Sequence, residues 1–250
     1  MVSYLQTEKS RLRLALFPTN EKEKVKLRLL NISLLLFLML IVVWAQAADV
    51  EGAFVVIDDE ASVKDILQKI TSGSGKKELE KKDVYKDDND GKAALRINVA
   101  GGDGQNFNPN MPDWELEIEK KPVGKNQFRY ITFAWKDIGG DGIQLQLHAN
   151  VNTWGHRYHA GANVKNWNPS IQVNKKAPEK WEVHTRDLIE DWKDLAKGGQ
   201  LITGIAFTAW DGKAGLFDHL VFHQTPEDPL APQAVDAKAK LTVKWAEIKH

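Results

Sequence analysis

The residues best equipped for chemistry lie in one stretch, His148 to Ser170, which reads HANVNTWGHRYHAGANVKNWNPS. It gathers Trp154, Trp167, Tyr158 and Arg157 with the histidines His148, His156 and His159 and a series of asparagines. Flat aromatic faces cover the apolar C–H surface of a sugar, while amide and guanidinium groups read its hydroxyls. The Gly and Asn content predicts loops at a sandwich edge, where binding side chains concentrate. On the preceding strand, Gln144, Gln146 and His148 share one face and extend the same platform. The competing reading is packing. Nine tryptophans serve this chain, so Trp154 and Trp167 could instead fill a core beneath a solvated loop.

Other constellations are weaker. After residue 47 the serines are Ser62, Ser72, Ser74 and Ser170, none in a G-x-S-x-G elbow, and no H-E-x-x-H or phosphate-cradling glycine loop occurs. Glu115, Glu117 and Glu119 lie on one strand face, with neighbours about 7 Å apart, a spacing that would suit the carboxylate pair of a glycosidase. A solvated strand face explains the same alternation. His156 and His159 fall on opposite faces of an extended segment, and His219 and His223 are four residues apart, so neither pair predicts a zinc site. Hard oxygen ligands for calcium are supplied by Asp87, Asp88, Asn89 and Asp90 before Gly91, although an Asx-rich turn has the same composition. Asp218 interrupts the apolar run LFDHLVF. Simple alternation sets it with Leu216, Leu220 and Phe222, so a carboxylate on that face requires a partner or a cation.

The elements that would position these residues are strands. Period-2 runs occur at 94–100, 114–120, 128–135, 143–149, 155–161, 170–173, 181–188, 201–210 and 216–224. Turn sequences such as GGDG at 139–142 and WDGKAG at 210–215 punctuate them. In WELEIEK, Trp114, Leu116 and Ile118 take one face. Together these predict an all-β, antiparallel two-sheet sandwich with one or two short helices, one at Val63–Ile70 and one near 187–197. SGSGKKELEKKD, between the first helix and the strands, reads as an exposed loop.

The ends differ from the middle. The first 47 residues combine a basic flank, an apolar run from Leu29 to Val43 and Ala45-Gln46-Ala47, the pattern of a signal peptide cleaved after Ala47. The apolar run is short of the about 20 residues that span a bilayer, so retention as an anchor is the alternative, and membrane contact is expected only in that case. Residues 48–225 form the sandwich domain, and 226–250 form a Pro/Ala-rich linker and tail with a final apolar run, LTVKWAEIK. Beyond residue 47 the chain carries 27 Lys/Arg and 31 Asp/Glu, a net charge of −4, which offers no footprint for nucleic acid. With no cysteine, disulfides and thiol chemistry are excluded.

FRYITFAWKDIGGDGIQLQLH, WGHRYHAG, WEVHTRDLIEDW and LITGIAFTAWDGKAGLFDHLVFHQT resemble a recurring domain of exported bacterial proteins. That domain is itself similar to the galactose-binding-domain-like jelly rolls that include many carbohydrate-binding modules. The resemblance covers about residues 80–225. It implies a non-catalytic jelly roll, secreted, periplasmic or on a bacterial cell surface, with a polysaccharide or glycan as partner. It also implies a structural calcium between the N-terminal segment and the last strand, with Asp218 as a ligand and Asp58 or Asp59 as its partner. The rival expectations are an extracellular adhesion or protein-binding domain and a glycoside-active enzyme.

Overall fold

A computed structural model of the chain describes residues 51–85, 93–99 and 101–231. The apolar N-terminal segment, the Asp87–Gly91 cluster and the 241–249 run lie outside the described residues, as does most of the linker. Alternation becomes strand wherever one side chain in two can be buried. The chain runs through β1 (Ala53–Ile57), α1 (Glu60–Lys69), β2 (Ser72–Gly73), β3 (Lys76–Glu80), β4 (Ala94–Asn98), β5 (Asp103–Asn108), β6 (Leu116–Ile118) and β7 (Gln127–Phe128). It continues with β8 (Tyr130–Ile138), β9 (Gly142–Ala149), β10 (Thr153–Gly161), β11 (Ile171–Asn174), β12 (Glu182–Asp187), α2 (Leu188–Asp191), β13 (Gln200–Trp210) and β14 (Ala214–His223).

These strands form two sheets. The first has the order β12-β8-β14-β4-β3, with β1 also paired to β14. The second has the order β11-β10-β9-β13-β5-β2, with β6 joining β13 and β7. Pairing is antiparallel except at β10–β11 and β6–β7, two parallel edges that alternation could not foretell. Rings from the two sheets meet between them: Phe207 with Phe217 at 5.0 Å and Phe133 with Tyr158 at 5.6 Å. The expected all-β sandwich is the observed fold.

Three sequence expectations need correction. The SGSGKKELEKKD segment is not a loop, because it contains β2 and β3. Its charged side chains are paired across the edge: Glu80 with Arg96 at 3.0 Å, and Lys77 Nζ donating to Leu67 O at 2.6 Å at the end of α1. Near 187–197 the helix is shorter than expected, a single turn, α2, followed by a 3-10 turn at Leu195–Lys197. Finally, Asp218 does not share the face of Leu220 and Phe222. On β8, Asp218 stands opposite Ala134 and Phe222 opposite Ile131, positions of opposite parity, because β14 is irregular between Asp218 and Val221. His219, inside that irregularity, has φ 49°.

Asp59 lies between β1 and α1, as the N-cap of the helix. Its carboxylate accepts from the Ser62 backbone N–H at 2.7 Å, while Ser62 Oγ accepts from the Asp59 N–H at 2.9 Å, a reciprocal capping box. Asp59→Ala is expected to cost about 1 kcal/mol, a fall in Tm of about 2–4 °C, read by thermal melting. Equal losses with and without EDTA would show that the carboxylate acts as a helix cap.

Candidate functional site

The IQLQLHA alternation divides β9 cleanly. Ile143, Leu145 and Leu147 enter the core, so Gln144, Gln146 and His148 stand on the far face of the larger sheet. Cross-strand register fills out that face in two rows. One runs Phe107–Ala206–Gln146–Arg157 and the other Gln105–Thr208–Gln144–His159, across β5, β13, β9 and β10.

Trp154 reaches this face through an irregularity. Regular alternation would set it with His156 and Tyr158. The register of β10 against β9 shifts between Thr153 and His156, after a turn in which Asn152 and Thr153 have φ of 55° and 41°. A Cβ on Gly155 would lie 2.0 Å from Asn152 Nδ2 and 2.9 Å from Asn152 O, so any larger residue there would have to displace the Asn152 side chain and press on the turn. The indole consequently meets Phe107 edge to face at 5.7 Å and the His148 ring at 4.9 Å.

The connection after β10 folds back over the same face. It contains a 3-10 turn at Val164–Asn166, and Lys165 Nζ pairs with Asp103 of β5 at 2.9 Å. Asn163 Nδ2 donates to Trp167 O at 2.9 Å, Arg157 Nη1 donates to Pro169 O at 3.1 Å, and His159 Nδ1 lies 2.7 Å from Ser170 Oγ. Trp167 is held at this point with Arg157 5.8 Å and Lys165 5.5 Å from its ring centre. Beside it opens a cavity of about 240 Å³ lined by Gln105, Phe107, Gln146, Trp154, Arg157 and Trp167.

Four of the eight side chains expected to contact ligand therefore line one cavity: Trp154, Arg157, Trp167 and Gln146. His148 stands behind Trp154, 2.8 Å from Thr203 Oγ1. Gln144 is fully buried, with Nε2 3.4 Å from Asn163 Oδ1 and Oε1 unpartnered. His156 and Tyr158 are corrections. Both are fully buried and point to the other side of β10, into the sandwich. Tyr158 donates to Asp191 at 3.0 Å and accepts from Trp192 Nε1 at 3.2 Å, while His156 Nε2 lies 3.2 Å from Asp194. Gln105 and Phe107 escaped the sequence reading because GGDGQNFNPN is dominated by turn formers; their i, i+2 spacing was the available signal.

The carboxylates named for other roles are separate. Glu115 is exposed, Glu117 accepts from Gln127 Nε2 at 2.8 Å and Glu119 accepts from the Gly199 N–H at 3.0 Å. Asp58 and Asp218 both approach His219: Asp58 Oδ1 lies 3.8 Å from its Nδ1, and Asp218 Oδ1 accepts its backbone N–H at 2.8 Å. Asp59 is turned toward Ser62 as the helix cap. Among the described residues, no three His, Cys, Asp or Glu side chains are grouped to hold a metal ion.

A two-sheet β-sandwich with a ring-lined cavity on one outer face is what fold and site define. No family model matches the chain, and no curated protein matches it. Solved structures similar to it include a family 11 carbohydrate-binding module from Clostridium thermocellum in complex with a β-1,3-1,4-mixed-linked tetrasaccharide. It is 11% identical, with 62% of this chain and 85% of that chain covered and a TM-score of 0.38. TmCBM61 in complex with β-1,4-galactotriose is 13% identical over 63% of this chain and 92% of that one, with a TM-score of 0.36. The tailspike protein 4 enzymatically active domain of bacteriophage CBA120 is 10% identical, covering 62% of this chain and 18% of that one, with a TM-score of 0.35. Superpositions this loose transfer no ligand and no residue role. The site stands on its own geometry.

Burial pushes the pKa values of His148, His156 and His159 below the ordinary histidine range, with Asp194 partly opposing the effect at His156. A depressed histidine pKa means that the unfolded chain binds more protons below about pH 6.5. Stability from these groups is therefore present at neutral pH and declines on acidification. Thermal melts should show a lower Tm at pH 5 than at pH 7. A smaller drop is expected in His156→Gln.

Proposed function

We propose that this chain is an exported, non-catalytic β-sandwich that binds a glycan at the Trp154–Trp167 cavity. The observation that carries the reading is the composition of that wall. Rings from three separate segments, Phe107, Trp154 and Trp167, surround a cavity whose polar lining is two amides and one guanidinium. Apolar rings with few fixed hydrogen-bonding groups suit the alternating C–H and O–H surfaces of a sugar. The volume is below the about 300–1,000 Å³ of sites that enclose a whole small ligand, which suits a short stretch of a longer chain. The exposed large hydrophobics among the described residues are Val55, Val123 and Val183, on β1, a loop and β12, so the rings by the cavity are not part of a broad apolar patch of the kind a protein partner buries.

Trp154→Ala removes a ring that only partly enters the packing. It is expected to weaken glycan retention about tenfold or more while Tm changes little, because losing one base-like stacking surface costs about 1–3 kcal/mol. Affinity electrophoresis through a panel of soluble polysaccharides, with melting curves alongside, provides the measurement. Unchanged retention would remove this cavity from the binding site.

Export rests on the N-terminal pattern of basic flank, apolar run and Ala45-Gln46-Ala47. Among the described residues no helix is long and apolar enough to cross a membrane. Mass spectrometry of the protein recovered from the producing cells should find an N-terminus at Ala48. Retention of Leu29–Val43 would indicate an anchored form instead.

A further inference from the structure

Four arginines fall among the described residues, and three of them meet a carboxylate. Arg96 pairs with Glu80 at 3.0 Å, Arg129 pairs with Asp187 at 2.7 Å, and Arg186 pairs with Asp191. Arg157 is the exception. Its Nε donates to Gln146 Oε1 at 2.9 Å and its Nη1 to Pro169 O at 3.1 Å, both neutral acceptors, and no carboxylate of the described residues pairs with it. Asp103, the acid of the same outer face, is taken by Lys165.

Arg157 is also the one charged group in the cavity wall; the other five lining residues are neutral. Desolvating a cation without a counterion is costly, and natural folds avoid it unless something supplies the opposite charge. Here burial disfavours the charged form of Arg157, with no acidic neighbour acting in the opposite direction. The guanidinium is nonetheless held firmly, by Gln146 on one side, Pro169 O on another and the Trp167 ring 5.8 Å away. Nη2 makes no hydrogen bond to the described protein, so a donor pair remains for an incoming oxygen.

We propose that the glycan taken by this cavity is acidic, with a carboxylate or sulfate of a sugar residue meeting the Arg157 guanidinium. Trp167 then acts as the support on which the cation rests, while Trp154 and Phe107 provide the apolar wall for the ring. A planar fork presented at a fixed angle matches an oxyanion, and charge-assisted hydrogen bonds are the strong ones in such a site. This inference rests on the glycan-binding reading above and narrows it to a substrate class.

The test measures binding of the full chain to polygalacturonate and alginate, to dextran sulfate, and to two neutral polymers, mixed-linkage glucan and β-1,4-galactan. Acidic polymers are expected to bind at least about tenfold more tightly than neutral ones, the scale of one hydrogen-bonded charge. That preference should shrink as salt rises from about 0.05 to 0.5 M. The uronate and sulfate arms tell which oxyanion is preferred. Arg157→Gln should bring the ratio of acidic to neutral affinity close to one and abolish its salt dependence, whatever the absolute affinity for the neutral polymers, with Tm reporting that the domain is folded. Should that variant unfold, Arg157→Lys keeps the charge but loses the fork; it should retain the salt dependence and lose several-fold in affinity. Equal binding of neutral and acidic polymers at every salt concentration overturns the acidic assignment and leaves glycan binding standing. An unchanged preference in folded Arg157→Gln also overturns it. No binding to any polymer removes the glycan reading itself, and this inference with it.

Discussion

The larger sheet is covered on both sides near β9 and β13, and this constraint governs the site. One side of these strands faces the sandwich core. The other lies under the chain that follows β10, so Gln144, Ala206 and Thr208 are shut off from water although they face away from the core. Polar side chains in such a place must find partners among themselves. Gln146 does so by accepting from Arg157 and reaching toward Thr208 Oγ1 at 3.4 Å. The groups that line the cavity are thus held by one another, and their geometry is set before any ligand arrives.

The inner side shows the same economy with different chemistry. Tyr158, Asp191, Arg186 and Trp192 form a hydrogen-bonded group that joins β10 to α2 and β12, bringing elements of both sheets together. Loss of any one member would leave a buried donor or acceptor unmade, which costs more than the bond itself contributes. Residues 156 and 158 thus hold the strand in place, and residues 154 and 157 present the side chains that line the cavity.

Most of the fold could be read from alternation, because a one-sided or two-sided core leaves a period of two in the sequence. Strands β8, β9, β12, β13 and β14 follow the expected runs. What could not be read is where the period breaks. The shift in β10 moves Trp154 to the outer face, and the shift in β14 moves Asp218 away from Leu220 and Phe222. Both breaks coincide with positive φ, at Asn152 and Thr153 beside the shift in β10 and at His219 within that of β14, and neither threonine nor histidine announces such a conformation in the sequence. The charged edge strand β3 was hidden for another reason: its pairing is satisfied by ion pairs, so its composition looks like that of a loop. The candidate site was half legible. Clustering of ring and amide residues located the region, while the side of the strand each one takes, and the contribution of β5, depend on contacts far apart in the chain.

The parallel pairing of β10 with β11 has a further consequence. Tyr158 lies beside Ile171, so after Gly161 the chain must travel back along the strand before it can pair again. A hairpin would have turned away at the sheet edge; this return path instead passes over the sheet and forms the cavity's roof. Roof and floor thus come from different parts of the chain, the floor from β5, β13, β9 and β10 and the roof from the connection, joined by contacts such as Lys165 with Asp103 and Arg157 with Pro169 O. Lengthening or shortening residues 162–170 would resize the compartment while the pairing of β5, β13, β9 and β10 beneath it kept its register.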